Sequence, residues 1–450
     1  MECAVAQSHG RLLQWPQSIL GPRPGLKELN VACWTFFVIG LIFPLSVVLF
    51  VRWKMGARFS SLLPVDFIYF YGIGQILNQH PAVQLYDYGL QLKTFNDIYP
   101  LTENHQVWGR SPYPPFVAKF FSLYARFSFE QAYFLWMGTS FALFVAGIAA
   151  AIKAAMHRDR LRGSLIFCFV LASPLFLYYN LAVGQLATVA VFSTGFAIYL
   201  ERRSMPLLSG LALSILAYKP TLLLLIVPML LLTRRFRTFI GFAAGTAALI
   251  AVSTAFAGFH IWTAYAQFVH SFAGTAGLFG ESAIKRWEYV DLHSFLYGIP
   301  GGRSWIGFTI LAFVLLGLGT WLARLLYKSG GAGRAAQNMA WATTLTWTMV
   351  INVYVPVYDT LLIAVAVILT IGALVEVEET AGTGWVVLLA IGISAVSLKA
   401  ESIAHKHGIQ PLTILILLLG LTQINILKRV VRKKLMGTEI AFPVDLNVTR

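Results

Sequence analysis

The stretch Val65-Asp66-Phe67-Ile68-Tyr69-Phe70-Tyr71 sets a carboxylate in aromatic sequence, a short way after a first apolar run at Val31–Val51. An acid beside lipid is costly unless it is paired, hydrated or used. Its surroundings decide how the chain is laid out. Residues 52–129 are too polar and too aromatic for a plain membrane span, yet too apolar for a free loop. Within them, Asp66–Gln79 and Tyr86–Ile98 have amphipathic helical spacing and are expected to lie flat at the membrane interface. Ser111-Pro112-Tyr113-Pro114-Pro115-Phe116 then breaks the helical pattern. Val117–Phe127 carries Lys119 and Arg126, is short for a span, and reads as another interfacial or re-entrant piece.

Composition fixes the class around this stretch. Of 450 residues, 58% are hydrophobic and 12% charged, where a soluble domain has about 25% charged. Apolar runs recur along the chain, and about 18 or more such residues suffice to cross a bilayer. The reading is an all-α polytopic membrane protein. After Val31–Val51, spans are expected at about 130–152, 164–180, 185–200, 205–218, 220–233, 238–257, 304–327, 337–353, 358–375, 384–399 and 410–427, about twelve in all. Residues 1–30 form a Pro-containing tail without an early apolar core, so the first span reads as uncleaved. The three cysteines show no pairing or metal-binding spacing.

The net charge of +15 is gathered in short clusters between apolar runs, which is a topology signal and excludes a nucleic-acid-binding stripe. Arg158/Arg160/Arg162, Arg202/Arg203, Arg234/Arg235/Arg237, Lys328/Arg334 and the tail from Lys428 fall on the side of the N-terminus. The positive-inside rule makes that side cytoplasmic. Residues 1–30 and 428–450 are then cytoplasmic tails, and 31–427 is one integral-membrane domain. Its two large outer loops are 52–129 and 258–303. Arg52, Lys54 and Arg58 run against the rule.

Several polar residues at outer positions are candidates for chemistry, each with a structural alternative. Asp66 suits an N-cap or a general base, and the two are compatible. Tyr69 and Tyr71 would wall it from bulk water. Lys219, between apolar Pro206–Ala217 and Thr221–Leu232, suits a snorkelling side chain or a cation for phosphate. Asn180 and Gln185 flank a polar turn that either only reverses the chain or hydrogen-bonds a sugar or phosphate. Asp359, after Tyr358, is a helix cap or a second outer carboxylate. Residues 258–303 hold His270, Glu281, Lys285, Arg286, Trp287, Glu288, Asp291, His293 and Ser294, mostly read as solvated surface, with His293 kept as a candidate. There is no metal-binding pattern, nucleotide loop or dinucleotide motif. An outer-face enzyme without nucleotide machinery needs a donor already delivered across the membrane.

The order Asp66-Phe67-Ile68-Tyr69-Phe70-Tyr71, Leu85-Tyr86-Asp87, Tyr113-Pro114-Pro115, Asn180 with Gly184-Gln185, Lys219-Pro220 and Ser294-Phe295-Leu296-Tyr297-Gly298 resembles glycosyltransferase family 87. These are polyprenol-phosphate-mannose-dependent mannosyltransferases of bacteria, with a GT-C fold. His293 stands where that family leads one to expect an amide, and Tyr358-Asp359 where one expects a His-containing motif. The resemblance implies inverting hexose transfer from a polyprenyl-phosphate sugar to a glycolipid or glycan, at the periplasmic face of a bacterial inner membrane. It implies no metal and no cofactor beyond the lipid-linked donor. Asp66 is the implied base. Lys219 is the first choice for the donor phosphate, with Arg110 and His293 next; Asn180, Gln185, Tyr358 and Asp359 complete the donor side, and Tyr69, Tyr71 and Tyr113 the acceptor wall. Rival readings are a transporter or flippase of lipid-linked sugars, a membrane scaffold, and a GT-C transferase with another acceptor.

Overall fold

The computed structural model describes residues 65–98, 109–156, 160–274, 285–298, 305–331, 333–378 and 380–439. These form helices without a β-strand, and an isolated antiparallel bridge joins Tyr289 to Pro356. The chain is an all-α polytopic membrane protein. Six described helices are long and apolar enough to cross a bilayer: Phe129–Ala155, Phe236–Ala257, Thr309–Ser329, Val357–Glu376, Gly382–His407 and Pro411–Arg432. A bent pair, Gly163–Leu171 with Leu175–Ala182, makes a seventh if read as one span broken by 52°. The expected first span at Val31–Val51 lies outside the described residues.

The remaining expected spans differ for physical reasons. Arg334–Val350 is a 17-residue helix whose residues from Ala335 onward are nearly all buried, including Thr343, Thr344, Thr346 and Thr348. Neighbouring helices take the place of lipid around it, and the hydroxyls of Thr343, Thr344, Thr346 and Thr348 have no hydrogen-bond partner among the described residues. Pro206–Tyr218 and Pro220–Leu232 are short apolar helices that meet at Lys219. At 1.5 Å per residue each reaches about 20 Å, against a hydrocarbon core of about 30 Å. The Lys219 turn is therefore recessed within the bundle.

The first described helix, α1 (Val65–Gln79), is apolar on most sides: Phe67, Ile68, Phe70, Tyr71, Ile73 and Ile76 are buried. The sequence pattern predicts one lipid-facing stripe. Instead α2 (Tyr88–Ile98), α3 (Pro115–Tyr124) and the start of α4 (Phe129–Ala155) cover it. The phenyl ring of Phe67 meets those of Phe121, Phe129 and Tyr133 at centroid distances of 6.3, 5.6 and 5.7 Å. Such rings bury large apolar area and resist reorientation. The proline stretch provides the entry to α3, with Pro114 preceding the helix and Pro115 at its first position, where a missing N–H costs nothing.

Helix α4 connects the two ends of the bundle. It opens on a capping box in which Ser128 and Gln131 each accept from the other's backbone N–H. Near its start, the Tyr133 hydroxyl donates to the Ala182 carbonyl at 2.7 Å and Trp136 Nε1 to the Gly184 carbonyl at 3.0 Å. At its far end, the Ala154 carbonyl accepts from Arg334 Nη2 at 2.7 Å. There, Glu201 pairs with Arg235 at 2.7 Å and accepts from Trp341 Nε1 at 3.0 Å. This basic knot and Asp66 lie at opposite ends of α4, a helix of about 40 Å at the usual rise.

Candidate active site

Asp66 lies in the first turn of α1, where the helix dipole favours a negative charge. Its Oδ2 accepts a hydrogen bond from Gln185 Nε2 at 2.7 Å. Gln185 is placed by the residue before it. Gly184 has φ +81°, and a Cβ there would stand 2.8 Å from the Cβ of Phe67. Only glycine adopts this backbone against this neighbour without strain. The Gly184 carbonyl is held by Trp136, so one turn fixes the amide that holds the acid.

Burial pushes the Asp66 carboxyl up to about 6; the Gln185 bond opposes that rise, Glu288 adds to it, and Lys285 opposes it. Burial is the dominant cause, as for a carboxyl walled by apolar groups. Tyr69, one turn further along α1, is T-shaped against Phe95 with centroids at 5.2 Å. Its hydroxyl lies against Gly109, and burial together with the Asp66 charge raises it beyond the usual phenol range. Tyr71 faces elsewhere: its hydroxyl donates to the Phe127 carbonyl at 2.8 Å, within the core. Tyr113 does reach the site. It is hydrogen-bonded to Tyr358, and lies within the fields of both Asp66 and Asp359. Asp66 and the Lys219 turn thus share one end of the bundle.

Lys219 is not an open cation. It is 8% exposed and forms an ion pair with Asp359, itself 2% exposed. Its ammonium also stands 5.6 Å from the Tyr354 ring centroid and 5.1 Å from that of Tyr358. The recess explains the pairing, since a lone ammonium at that depth has no water to solvate it. Two expected donor contacts, Lys219 and Asp359, are therefore each other's partner.

Asn180 sits in a π-helical segment, Leu175–Ala182. Its Nδ2 donates to the Leu175 carbonyl at 2.8 Å, and its Oδ1 accepts from Ala187 N at 3.0 Å. Both ends of this amide hold backbone, whereas Gln185 uses one end on Asp66. Arg110 Cζ lies 4.2 Å from the Tyr88 ring centroid, and its Nη1 donates to Ser271 Oγ at 3.3 Å. It follows Gly109, and so stands at the rim beside Tyr69. His293 Nδ1 is 3.3 Å from Arg286 Nη1, and burial, then Arg286, lowers its pKa.

The segment 285–298 is fastened over this region. The Val290 amide donates to the Val355 carbonyl at 2.9 Å, and the Thr413 hydroxyl to the Val290 carbonyl at 2.8 Å. Asp291 caps the short helix α5 (Leu292–Gly298) through Ser294 N at 2.8 Å, and also accepts from Val355 N at 3.2 Å. Lys285, beside Glu288 at 3.5 Å, is an exposed cation whose field reaches Asp66. The sequence reading leaves Lys285 and Glu288 as solvated surface; their place near Asp66 follows from contacts that no local pattern records. Tyr354 and Glu401, both in the field of Asp66, carry no sequence signal beyond an ionisable group in an apolar setting. The described residues contain no group of His, Cys, Asp and Glu that could hold a metal ion.

At one end of the helix bundle, an acid with raised proton affinity, held by an amide and set beside Tyr69, makes the kind of site a proton-transferring enzyme uses. Residues 112–356, more than half of the chain, match the profile of glycosyltransferase family 87. The chain belongs to this family and is a glycosyltransferase. No curated protein and no solved structure gives a match.

Proposed function

We propose that the protein transfers a hexose, mannose on the family resemblance, from a polyprenyl-phosphate sugar to a glycolipid or glycan. The reaction is proposed to run on the outer face of a bacterial inner membrane, a reading supported by basic clusters at the end of the bundle away from Asp66. The observation that carries the reading is the Asp66 carboxyl, pushed up to about 6 and held by Gln185 at 2.7 Å. A base is most effective when its pKa lies near the working pH. At pH 7 such a group is about nine-tenths ionised, and a stronger base than an exposed carboxylate.

In the proposed step, an acceptor hydroxyl loses its proton to Asp66. The oxygen attacks the anomeric carbon from the face opposite the phosphate. The carbon–oxygen bond to phosphate breaks, polyprenyl phosphate leaves with the electron pair, and the anomeric configuration inverts. Phosphate is a good leaving group as the anion, so one carboxylate suffices. Arg110, Lys285 and Arg286 are the cations we assign to the departing charge, with His293 beside Arg286. The Lys219–Asp359 pair carries no net charge and holds Tyr354 and Tyr358 in place. Charge stabilisation of this kind contributes several kcal/mol.

The test is transfer by the purified protein from labelled polyprenyl-phosphate mannose to a glycolipid acceptor. Product with inverted anomeric configuration, lost in Asp66→Asn, is expected. Near wild-type transfer by a folded Asp66→Asn protein overturns the reading.

A further inference from the structure

Glu401 and the tyrosines of the π-helical segment have no part in the step above, yet they face it. The Tyr179 hydroxyl donates to Glu401 Oε1 at 3.0 Å, across 222 residues of chain. Tyr178 stands edge-on to Tyr179, with centroids 5.0 Å apart, and is 45% exposed. It lies within the fields of both Glu401 and Asp66. Glu401 in turn interacts with Asp66, Glu288 and Lys285.

Gln185 supplies an independent sign of a ligand. Its Nε2 is engaged by Asp66, while its Oε1 is buried with no hydrogen-bond donor among the described residues, on a side chain 5% exposed. A buried acceptor left unmet is destabilising, and a ligand hydroxyl beside Asp66 removes that penalty. The neighbouring chemistry is of one kind. An exposed aromatic ring offers a face for sugar C–H groups. Carboxylate and amide oxygens accept from hydroxyls. Of the charged groups whose fields reach Glu401, Asp66 and Glu288 are carboxyls and Lys285 is the one cation, so an anion is disfavoured beside Glu401, away from Arg110 and Arg286.

We propose that Gln185, Tyr178 and Glu401 form the acceptor subsite, and that this subsite takes an uncharged sugar and rejects an anionic one. The inference rests on the reading of Asp66 as the base that faces the acceptor. Glu401 is a specificity residue here: it accepts from a sugar hydroxyl and sets the charge the site admits.

The experiment is equilibrium binding to the full-length protein in nanodiscs, followed by tryptophan fluorescence, with no donor present. The probes are octyl β-D-mannopyranoside and octyl β-D-glucuronide. We expect the mannoside to bind at least tenfold more tightly. Glu401→Gln should weaken the mannoside about tenfold and narrow the discrimination against the glucuronide. Tyr178→Ala, at an exposed position, should weaken the mannoside with the fold intact, and carries the test if Glu401→Gln does not fold. Equal binding of both glycosides, or unchanged mannoside affinity in folded variants, overturns the proposal. Discriminating binding by a protein that transfers nothing from the polyprenyl donor leaves the subsite standing and rejects the donor. Transfer without discrimination rejects the subsite alone.

Discussion

Gln185 Nε2 donates to Asp66 Oδ2 at 2.7 Å, joining two residues 119 positions apart in the chain. The bond aims one carboxylate oxygen at protein. Asp66→Asn can keep this contact through its own carbonyl oxygen while losing the basic group. We expect transfer to fall by about 10²–10⁴, the range for a positioned general base, with the helical circular dichroism unchanged. A loss under tenfold would mean that Asp66 serves the helix and not the chemistry.

The same carboxyl sets opposite pH trends for activity and stability. It titrates at about 6 in the folded protein, above its ordinary 3.8. The rate constant kcat/KM should therefore rise as pH increases through about 6 and then level off. For stability, the folded state holds the proton more tightly than the unfolded one. The contribution is complete below about 4 and is lost as pH rises through about 6. Asp66→Asn should thus melt higher than wild type at pH 7.5, and the gap should close at pH 4.

Lys219→Met and Asp359→Leu should each destabilise strongly, because each strands a buried charge; losses for such pairs are about 3–5 kcal/mol. The double variant, apolar at both positions, should recover much of the stability and retain measurable transfer. Thermal unfolding of the three variants checks the first claim and a donor titration the second. A double variant that folds but binds donor tenfold more weakly would return Lys219 to the phosphate.

Gly184→Ala should disturb catalysis from outside the reacting groups. The new methyl meets Phe67 at 2.8 Å, on a backbone with φ +81°. Strain of about 1–3 kcal/mol is expected, relieved by displacing Gln185. The reading predicts a fall in kcat with a smaller change in donor KM, and a pH profile whose acid limb shifts, since the Gln185 bond lowers the Asp66 pKa.

Asp291→Ala removes the cap of α5 and the tie to Val355 together. Loss of such a cap costs about 1 kcal/mol. With the segment at 285–298 loosened, donor KM should rise more than kcat falls, as measured by steady-state transfer.

The sequence carries the all-α membrane class plainly, because apolar runs and basic clusters are local signals. Asp66 is legible for the same reason: an acid among Phe67, Tyr69, Phe70 and Tyr71 is conspicuous. Its partner Gln185 is legible only as a polar turn, and what separates it from Asn180 is which ends of each amide the backbone consumes. The pairing of Lys219 with Asp359 spans 140 residues and depends on how far a short hairpin reaches. Glu401 is hidden differently. It lies near the end of an apolar helix beside Lys399, where an ordinary reading is a side chain reaching for water. Residues 337–353 read as a span by length, and no local pattern marks that the helix Arg334–Val350 is enclosed by protein and not by lipid.

The depth of the Lys219 turn has a consequence for a substrate carried on an isoprenoid. Both hairpin arms are about 10 Å shorter than a full crossing, and Lys219 is buried between them and Asp359, Tyr354 and Tyr358. Each methylene drawn from hydrocarbon into water costs about 0.8 kcal/mol. If the donor is the proposed polyprenyl-phosphate sugar, a site at that depth would let its tail stay dissolved in the leaflet, and extraction from the bilayer would not enter the barrier.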